Sequence, residues 1–223
     1  MDLTNSVALV TGANRGLGRH LAAQLLERGA KVYAGARNPS SVDLPGAIPL
    51  QIDVTDPASV EQAAKVAGDV TLLINNAGSS TQQSLVDGDL DGIRLEMDTH
   101  YYGTLAVTRA FAPIIEANGG GAILNVLSVL SWFHPAGAGA YSSAKAAGWA
   151  LTNAVREELA PRGIAVSALH VGYMDTDMAA HVPADQKTDP AVVAAQALDG
   201  VAMGRPEILA DDVTRGVKAG LAG

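Results

Sequence analysis

Six short runs of Val, Ile, Leu and Ala constrain this chain more than any other feature. They are Val7–Val10, Lys31–Ala36, Ile48–Gln51, Val70–Ile74, Ala122–Leu127 and Ala165–Leu169. A strand with one wet face alternates polar and apolar residues. A strand covered on both faces does not, and such strands belong to parallel sheets. Helical patterns separate the runs, at Leu17–Arg28, Ala58–Ala67, roughly Asp91–Ala117 and Ala140–Ala160. Thr55-Asp56-Pro57 reads as an N-cap with proline at the first helical position, and Thr188-Asp189-Pro190 repeats the device. Gly29 and Gly163 read as helix stops. Alternation on this scale predicts right-handed βαβ units in a doubly wound α/β sheet flanked by helices, with residues 1–223 as a single domain.

Composition removes several function classes. Fifteen Lys and Arg against 23 Asp and Glu give a net charge of −8, which argues against a nucleic-acid partner. With 48% hydrophobic and 17% charged residues the chain is not disordered. Cys is 0, so disulfides, thiolate metal sites and cysteine nucleophiles are excluded. The start of the chain is polar and lacks a basic segment followed by a long apolar one. No apolar stretch is long enough to span a bilayer. The expected setting is cytoplasmic, with no membrane partner. His20, His134, His170 and His181 lack ligand spacing, so no metal is expected.

Between the first strand and first helix lies Val7-Ala-Leu-Val-Thr-Gly12-Ala-Asn-Arg-Gly16-Leu-Gly18. One glycine allows a tight turn, the next admits a phosphate to the backbone, and the third lets helix and strand pack closely. The helix N-terminus beyond offers free N–H groups to a pyrophosphate. A dinucleotide's second anchor belongs at the end of the second strand, where an acid would hold the ribose 2′-hydroxyl of NAD. Here Ala36 is followed by Arg37, and Arg15 lies inside the turn. Guanidinium pairs with a 2′-phosphate in a bidentate fork, so the expected cofactor is NADP(H).

The spacing Thr11-Gly12-x-x-x-Gly16-x-Gly18 resembles that of the short-chain dehydrogenase/reductase family. The resemblance continues through Asp53-Val54-Thr55, Asn75-Asn76-Ala77-Gly78, Ser128, Tyr141-x-x-x-Lys145 and Val171-Gly172-Tyr173-Met174-Asp175-Thr176. It implies a Rossmann-like fold and a cofactor held by Gly12, Asn14, Arg15, Gly16, Leu17, Gly18 and Arg37. Asp53 and Val54 would meet the adenine, and Asn76, Ala77 and Gly78 the adenosine ribose. Val171, Gly172, Met174 and Thr176 would meet the nicotinamide, and Tyr141 and Lys145 its ribose. Val171 stands where the family usually has proline. The resemblance also implies a homodimer or homotetramer paired through two long helices.

Tyr141 and Lys145 share one helix face, one turn apart. A nearby ammonium is expected to lower the phenol's pKa from about 10, preparing Tyr141 as the acid/base for a carbonyl oxygen. Ser128 would donate to the same oxygen. The family usually has Asn where this chain has His100. Two readings stand there: an imidazole that joins a proton relay, or a side chain that only fills space.

Trp132, Phe133, Tyr173 and Met178 suggest an apolar substrate rim, or aromatics packed under a small lid at about residues 173–190. The expected partner is a small hydrophobic carbonyl or alcohol. The expected reaction is reversible NADPH-dependent reduction of an aldehyde or ketone. Two rivals are a silent NADP(H)-binding sensor or scaffold and a sugar-nucleotide epimerase or dehydratase. The latter resembles longer chains, and little sequence follows Asp189.

Overall fold

A computed structural model describes residues 1–221. Seven parallel strands form one sheet: β1 (Val7–Thr11), β2 (Lys31–Ala36), β3 (Ile48–Gln51), β4 (Leu72–Asn75), β5 (Gly121–Val126), β6 (Ile164–His170) and β7 (Glu207–Leu209). Their order is β3-β2-β1-β4-β5-β6-β7. The chain winds outward from β1 in one direction, then restarts from β4 in the other. The reversal between β1 and β4 opens a crevice at the strands' C-terminal ends, where open α/β sheets bind ligands.

Both faces are covered, which explains the unbroken apolar runs. Alternate residues feed alternate cores. Val10, Ile74 and Leu124 pack with Leu21, Leu25 and Leu198 beneath α1 (Gly16–Glu27) and α6 (Pro190–Ala202). Leu9, Leu73 and Ile123 pack with Val60, Phe111 and Leu151 beneath α2 (Pro57–Val66), α4 (Thr104–Ala117) and α5 (Gly139–Leu159). Asp56 and Asp189 cap α2 and α6 through their side chains, with Pro57 and Pro190 following as expected. Among the described residues no helix is long and apolar enough to cross a membrane.

Two differences from the sequence reading matter. The helical stretch expected at Asp91–Ala117 is not one α-helix. It runs as α3 (Leu90–Met97), a π-helical segment at Asp98–Gly103, and α4. The widened turn lies beside Val54: a Cβ on Gly103 would approach Val54 and the Asp98 carbonyl to 3.0 Å. Apolar spacing did not reveal it, because the eight residues of α3 upstream are too few for the phase shift of one extra residue to stand out. The apolar runs also stop short of β7 and of α7 (Asp212–Gly220). Three residues of strand are too few to show a period.

A buried polar chain fastens the layers behind the crevice. Asn75 Nδ2 donates to Asn125 Oδ1 (2.8 Å) and to Thr108 Oγ1 (3.2 Å), and Asn125 Nδ2 donates to Thr152 Oγ1 (3.0 Å). Thr152 donates to the Gly148 carbonyl at 2.7 Å. Four elements, β4, β5, α4 and α5, are thus tied by side chains that have no water to turn to. Asn125→Ala leaves the Asn75 amide short of its acceptor and opens a small cavity. Urea unfolding should show a loss of about 2–4 kcal/mol.

Candidate active site

The glycine turn is built as the spacing demands. Gly12 and Gly16 have φ of +66° and +53°, which L side chains rarely adopt. A Cβ on Gly18 would collide with the Gly12 carbonyl. Leu17 is buried beneath the turn, and Asn14 and Arg15 lie on its outer side. No side chain caps α1, so its first-turn N–H groups are left for an anion. A dinucleotide phosphate fits this cradle.

β1 and β4 are pinned together at the crevice. Asn76 Nδ2 donates to the carbonyls of Thr11 (2.9 Å) and Gly12 (3.2 Å). The Thr11 hydroxyl oxygen accepts from the backbone N–H groups of Asn76 and Ala77, both at 3.0 Å. Thr11 therefore sets the path of the 76–78 loop. Asp53 Oδ1 accepts from the Thr55 N–H (3.0 Å) and hydroxyl (2.7 Å), a turn at the strand end. Val54 packs against the second core. Arg37 is exposed beyond β2, whereas Arg15 pairs with Asp177 at 3.3 Å across the mouth.

Ser128, Tyr141, Lys145 and His100 converge beyond β5. Ser128 Oγ accepts from the Leu130 N–H (3.1 Å) and donates to the Val171 carbonyl (3.4 Å), and it acts on the nearby Tyr141 hydroxyl. Lys145 Nζ donates to the Val126 carbonyl at 2.8 Å and lies 5.5 Å from the Tyr141 ring centre. The His100 ring meets the Tyr141 ring edge-on at 5.2 Å. It also limits the 76–78 loop, because a Cβ on Gly78 would come within 2.9 Å of its Cε1.

The expected lowering of the Tyr141 pKa is corrected here. Burial pushes the phenol above its ordinary value, Glu96 adds to this, and the Ser128 hydrogen bond opposes it. Burial also weakens the ammonium that was to do the lowering, bringing Lys145 down to about 8, with Glu96 opposing. The ammonium is aimed at a strand-end carbonyl, and the cost of desolvating a phenolate dominates. Tyr141 is accordingly a neutral phenol, the form that can give a proton.

Glu96 escaped the sequence reading. It is fully buried on α3 and accepts from the Ser79 hydroxyl (2.9 Å), the Thr81 N–H and His100 Nε2 (3.2 Å). Burial alone would raise its pKa, yet these donors hold it down at about 2. His100 is lowered by burial first and by Lys145 second. The i,i+4 spacing of Glu96 and His100 was a usable signal, but a solvated surface pair has the same spacing.

Two further supports were also missed. His170 is fully buried, with Nδ1 at 3.1 Å from the Ser128 carbonyl and its pKa brought down to about 4 by burial. Trp132 stacks on it at 3.8 Å and meets Trp149 edge-on at 5.9 Å. Trp132 therefore belongs to the packing behind Ser128, not to the rim, because its ring covers an imidazole that would otherwise face the apolar interior. Asp211, at the N-terminus of α7, accepts from the Gly172 N–H at 2.6 Å. Val171 is buried, and its carbonyl accepts from the Val129 N–H at 3.0 Å. Met174 bridges Thr188, and Thr176 lies against Gly16. Phe133, Tyr173 and Met178 are about half exposed, as are Leu85 and Leu90 across the opening.

Glu96 yields an acid-stability prediction. Its folded pKa lies below the ordinary 4.5, so the stability it contributes is complete above that value and is lost as pH falls toward about 2. Over that window the wild type should lose stability relative to Glu96→Gln with a slope approaching about 1.4 kcal/mol per pH unit, read from urea unfolding.

A family model described as short chain dehydrogenase matches residues 6–187. The chain is 32% identical over 197 residues to the 3-oxoacyl-(acyl-carrier-protein) reductase of Salmonella typhimurium, covering 84% of this chain and 81% of that one. A short chain dehydrogenase from Burkholderia cenocepacia, solved in complex with NADP, superposes with a TM-score of 0.96 at 39% identity, covering 100% of this chain and 95% of that one. A short-chain dehydrogenase from Streptomyces avermitilis gives 0.88 at 26% identity, covering 100% and 93%.

Proposed function

The chain belongs to the short chain dehydrogenase family of oxidoreductases, and on that premise we propose that it reduces an apolar aldehyde or ketone to an alcohol with NADPH, reversibly. One observation carries this reading: Ser128 and Tyr141 gather around a buried Lys145, whose ammonium lies 5.5 Å from the Tyr141 ring centre, at the same sheet edge as an uncapped glycine turn.

The α1 N-terminus and the Gly12–Gly18 turn would hold the pyrophosphate. Arg37 would take the 2′-phosphate, with Arg15 beside it once released from Asp177. The absence of an acid after β2, and the NADP in the Burkholderia cenocepacia relative, support the phosphorylated cofactor. Asp53 and Val54 would face the adenine, Asn76, Ala77 and Gly78 its ribose, Lys145 and Tyr141 the nicotinamide ribose, and Val171, Gly172, Met174 and Thr176 the nicotinamide. When bound, the cofactor supplies a hydride, two electrons with one proton, to the carbonyl carbon. Ser128 donates a hydrogen bond to the carbonyl oxygen. Tyr141 gives that oxygen its phenolic proton, so hydride and proton together complete the alcohol. Lys145 stabilises the phenolate left behind, which takes a proton back from solvent.

The half-exposed Phe133, Tyr173, Met178 and Leu85 favour an apolar substrate. Cations near the opening are already paired, Lys187 with Asp175 and Arg15 with Asp177. We take residues 173–190 as a lid over this rim, within one domain. The groove lined by Leu105, Arg109, Ala110 and Ile114 of α4 and by Val155 and Glu158 of α5 is the face we assign to homodimer or homotetramer pairing. A cysteine-free chain of this kind fits work in the cytoplasm.

The test is a panel of aldehydes, ketones and secondary alcohols followed at the nicotinamide absorbance, with NADPH and NADH in parallel. Apolar carbonyls should turn over with NADPH, and Tyr141→Phe should lower kcat by about 100-fold or more while leaving NADPH binding intact. NADPH binding with no turnover on any member would favour a silent sensor. Arg37→Asp should raise the Kd for NADPH by about tenfold and spare NADH, since a carboxylate repels the 2′-phosphate and suits a free 2′-hydroxyl.

A further inference from the structure

Lys145 is buried, and its ammonium donates to the Val126 carbonyl, a dipole and not a charge. Among the described residues no carboxylate lies within ion-pair distance of it. The acid whose charge acts on it is Glu96. That carboxylate is itself fully buried, and three donors converge on it from two places: the Ser79 hydroxyl and Thr81 N–H from the loop after β4, and His100 Nε2 from the π-helical segment. His100 Nε2 also lies 3.0 Å from the Ser79 carbonyl and 3.3 Å from the Ser79 N–H. With its proton on Nε2 the ring donates toward Glu96, and burial holds the imidazole below its ordinary pKa. A buried carboxylate met by three donors is held in its ionised form.

Several titratable groups face this neighbourhood. Tyr141 and Lys145 come from α5, Glu96 from α3, His100 from the π-helical segment, Tyr173 from the loop after β6 and His170 from β6. Near neutral pH the two that carry charge are Lys145 and Glu96. We propose that Glu96 is a positioning residue of this site: a buried counter-anion, seated on the 79–81 loop and on His100, that keeps Lys145 an ammonium and Tyr141 a phenol. The proposal rests on the functional reading of Tyr141 and Lys145 given above. It assigns His100 a definite part, which is to carry a hydrogen bond to the anion rather than to relay protons as a titrating base. The overall equilibrium of carbonyl and alcohol is unaffected. What Glu96 sets is the pH range over which the proton-donating form of the site is populated.

The test uses cofactor-free protein, with Lys145 followed through its side-chain nitrogen resonance. Removing an anion disfavours a cation, so the Lys145 midpoint, about 8 in the wild type, should fall by about one unit in Glu96→Gln. It should return toward the wild-type value in Glu96→Asp, which restores the charge. The alkaline limb of the reductase pH–rate profile should move down in parallel. An unmoved Lys145 midpoint in Glu96→Gln would overturn the proposal and leave Glu96 as a brace for the loop. Should that variant not fold, the Glu96 carboxyl carbon resonance of the wild type decides. A carboxylate persisting down to about pH 4 supports the proposal, and a neutral acid at about pH 6 overturns it. Full turnover in Tyr141→Phe would sink the functional reading without moving the Lys145 titration, so the two failures are told apart.

Discussion

An ammonium kept out of water and still charged is the constraint on which this site depends. Burying it unpaired would be costly enough to neutralise it. The parallel sheet supplies part of the answer, because each strand ends at the same edge with carbonyls pointing past their neighbours. Val126, the last residue of β5, offers one of these to Lys145. The rest comes from α3, whose Glu96 brings a negative charge into the same buried volume. Lys145 can hold this place because α5 is tied to β5 and β4 through Thr152, Asn125 and Asn75.

The crevice is held from both sides of the sheet. On the β1–β4 side, Thr11 and Asn76 exchange hydrogen bonds that leave the 76–78 loop little freedom, and His100 packs against Gly78. On the β6 side, His170 meets the Ser128 carbonyl, Trp132 covers His170, and Lys218 of α7 lies 4.5 Å from the Trp132 ring centre while pairing with Glu207 at 2.8 Å. Asp211 adds a bond to Gly172. The serine and the loop after β6 are thus positioned by residues from the last two elements of the fold. Strict geometry at the reacting atoms depends on supports of this kind.

What could be read in the sequence was what is local. The glycine turn is a run of seven residues whose meaning lies in its spacing. Tyr141 and Lys145 announce themselves four apart on one helix. The six apolar runs revealed the parallel sheet because burial on both faces leaves a compositional mark within each strand. The supports behind the site leave no such mark. Gly172 and Asp211 lie 39 positions apart, and Ser128 and His170 lie 42 apart. Only strand order brings either pair together. Trp132 was left open between rim and interior packing because an aromatic after a strand end looks the same whether it faces solvent or an imidazole. The Tyr141 pKa went the other way from expectation because charge proximity is visible in spacing, whereas desolvation depends on everything packed around the ring.

The π-helical segment at Asp98–Gly103 carries one consequence beyond its local shape. An added residue turns everything upstream by about 100° relative to everything downstream. The single rod from Leu90 to Ala117 can therefore present Glu96 and His100 toward Tyr141 while Val107, Phe111 and Ile115 remain in the core beneath the sheet. Removing one residue from that segment would straighten the screw. The core half is anchored by the larger apolar surface and would stay, so the upstream half would rotate. Its carboxylate would swing toward solvent, and the fold would survive with its interior charge balance undone.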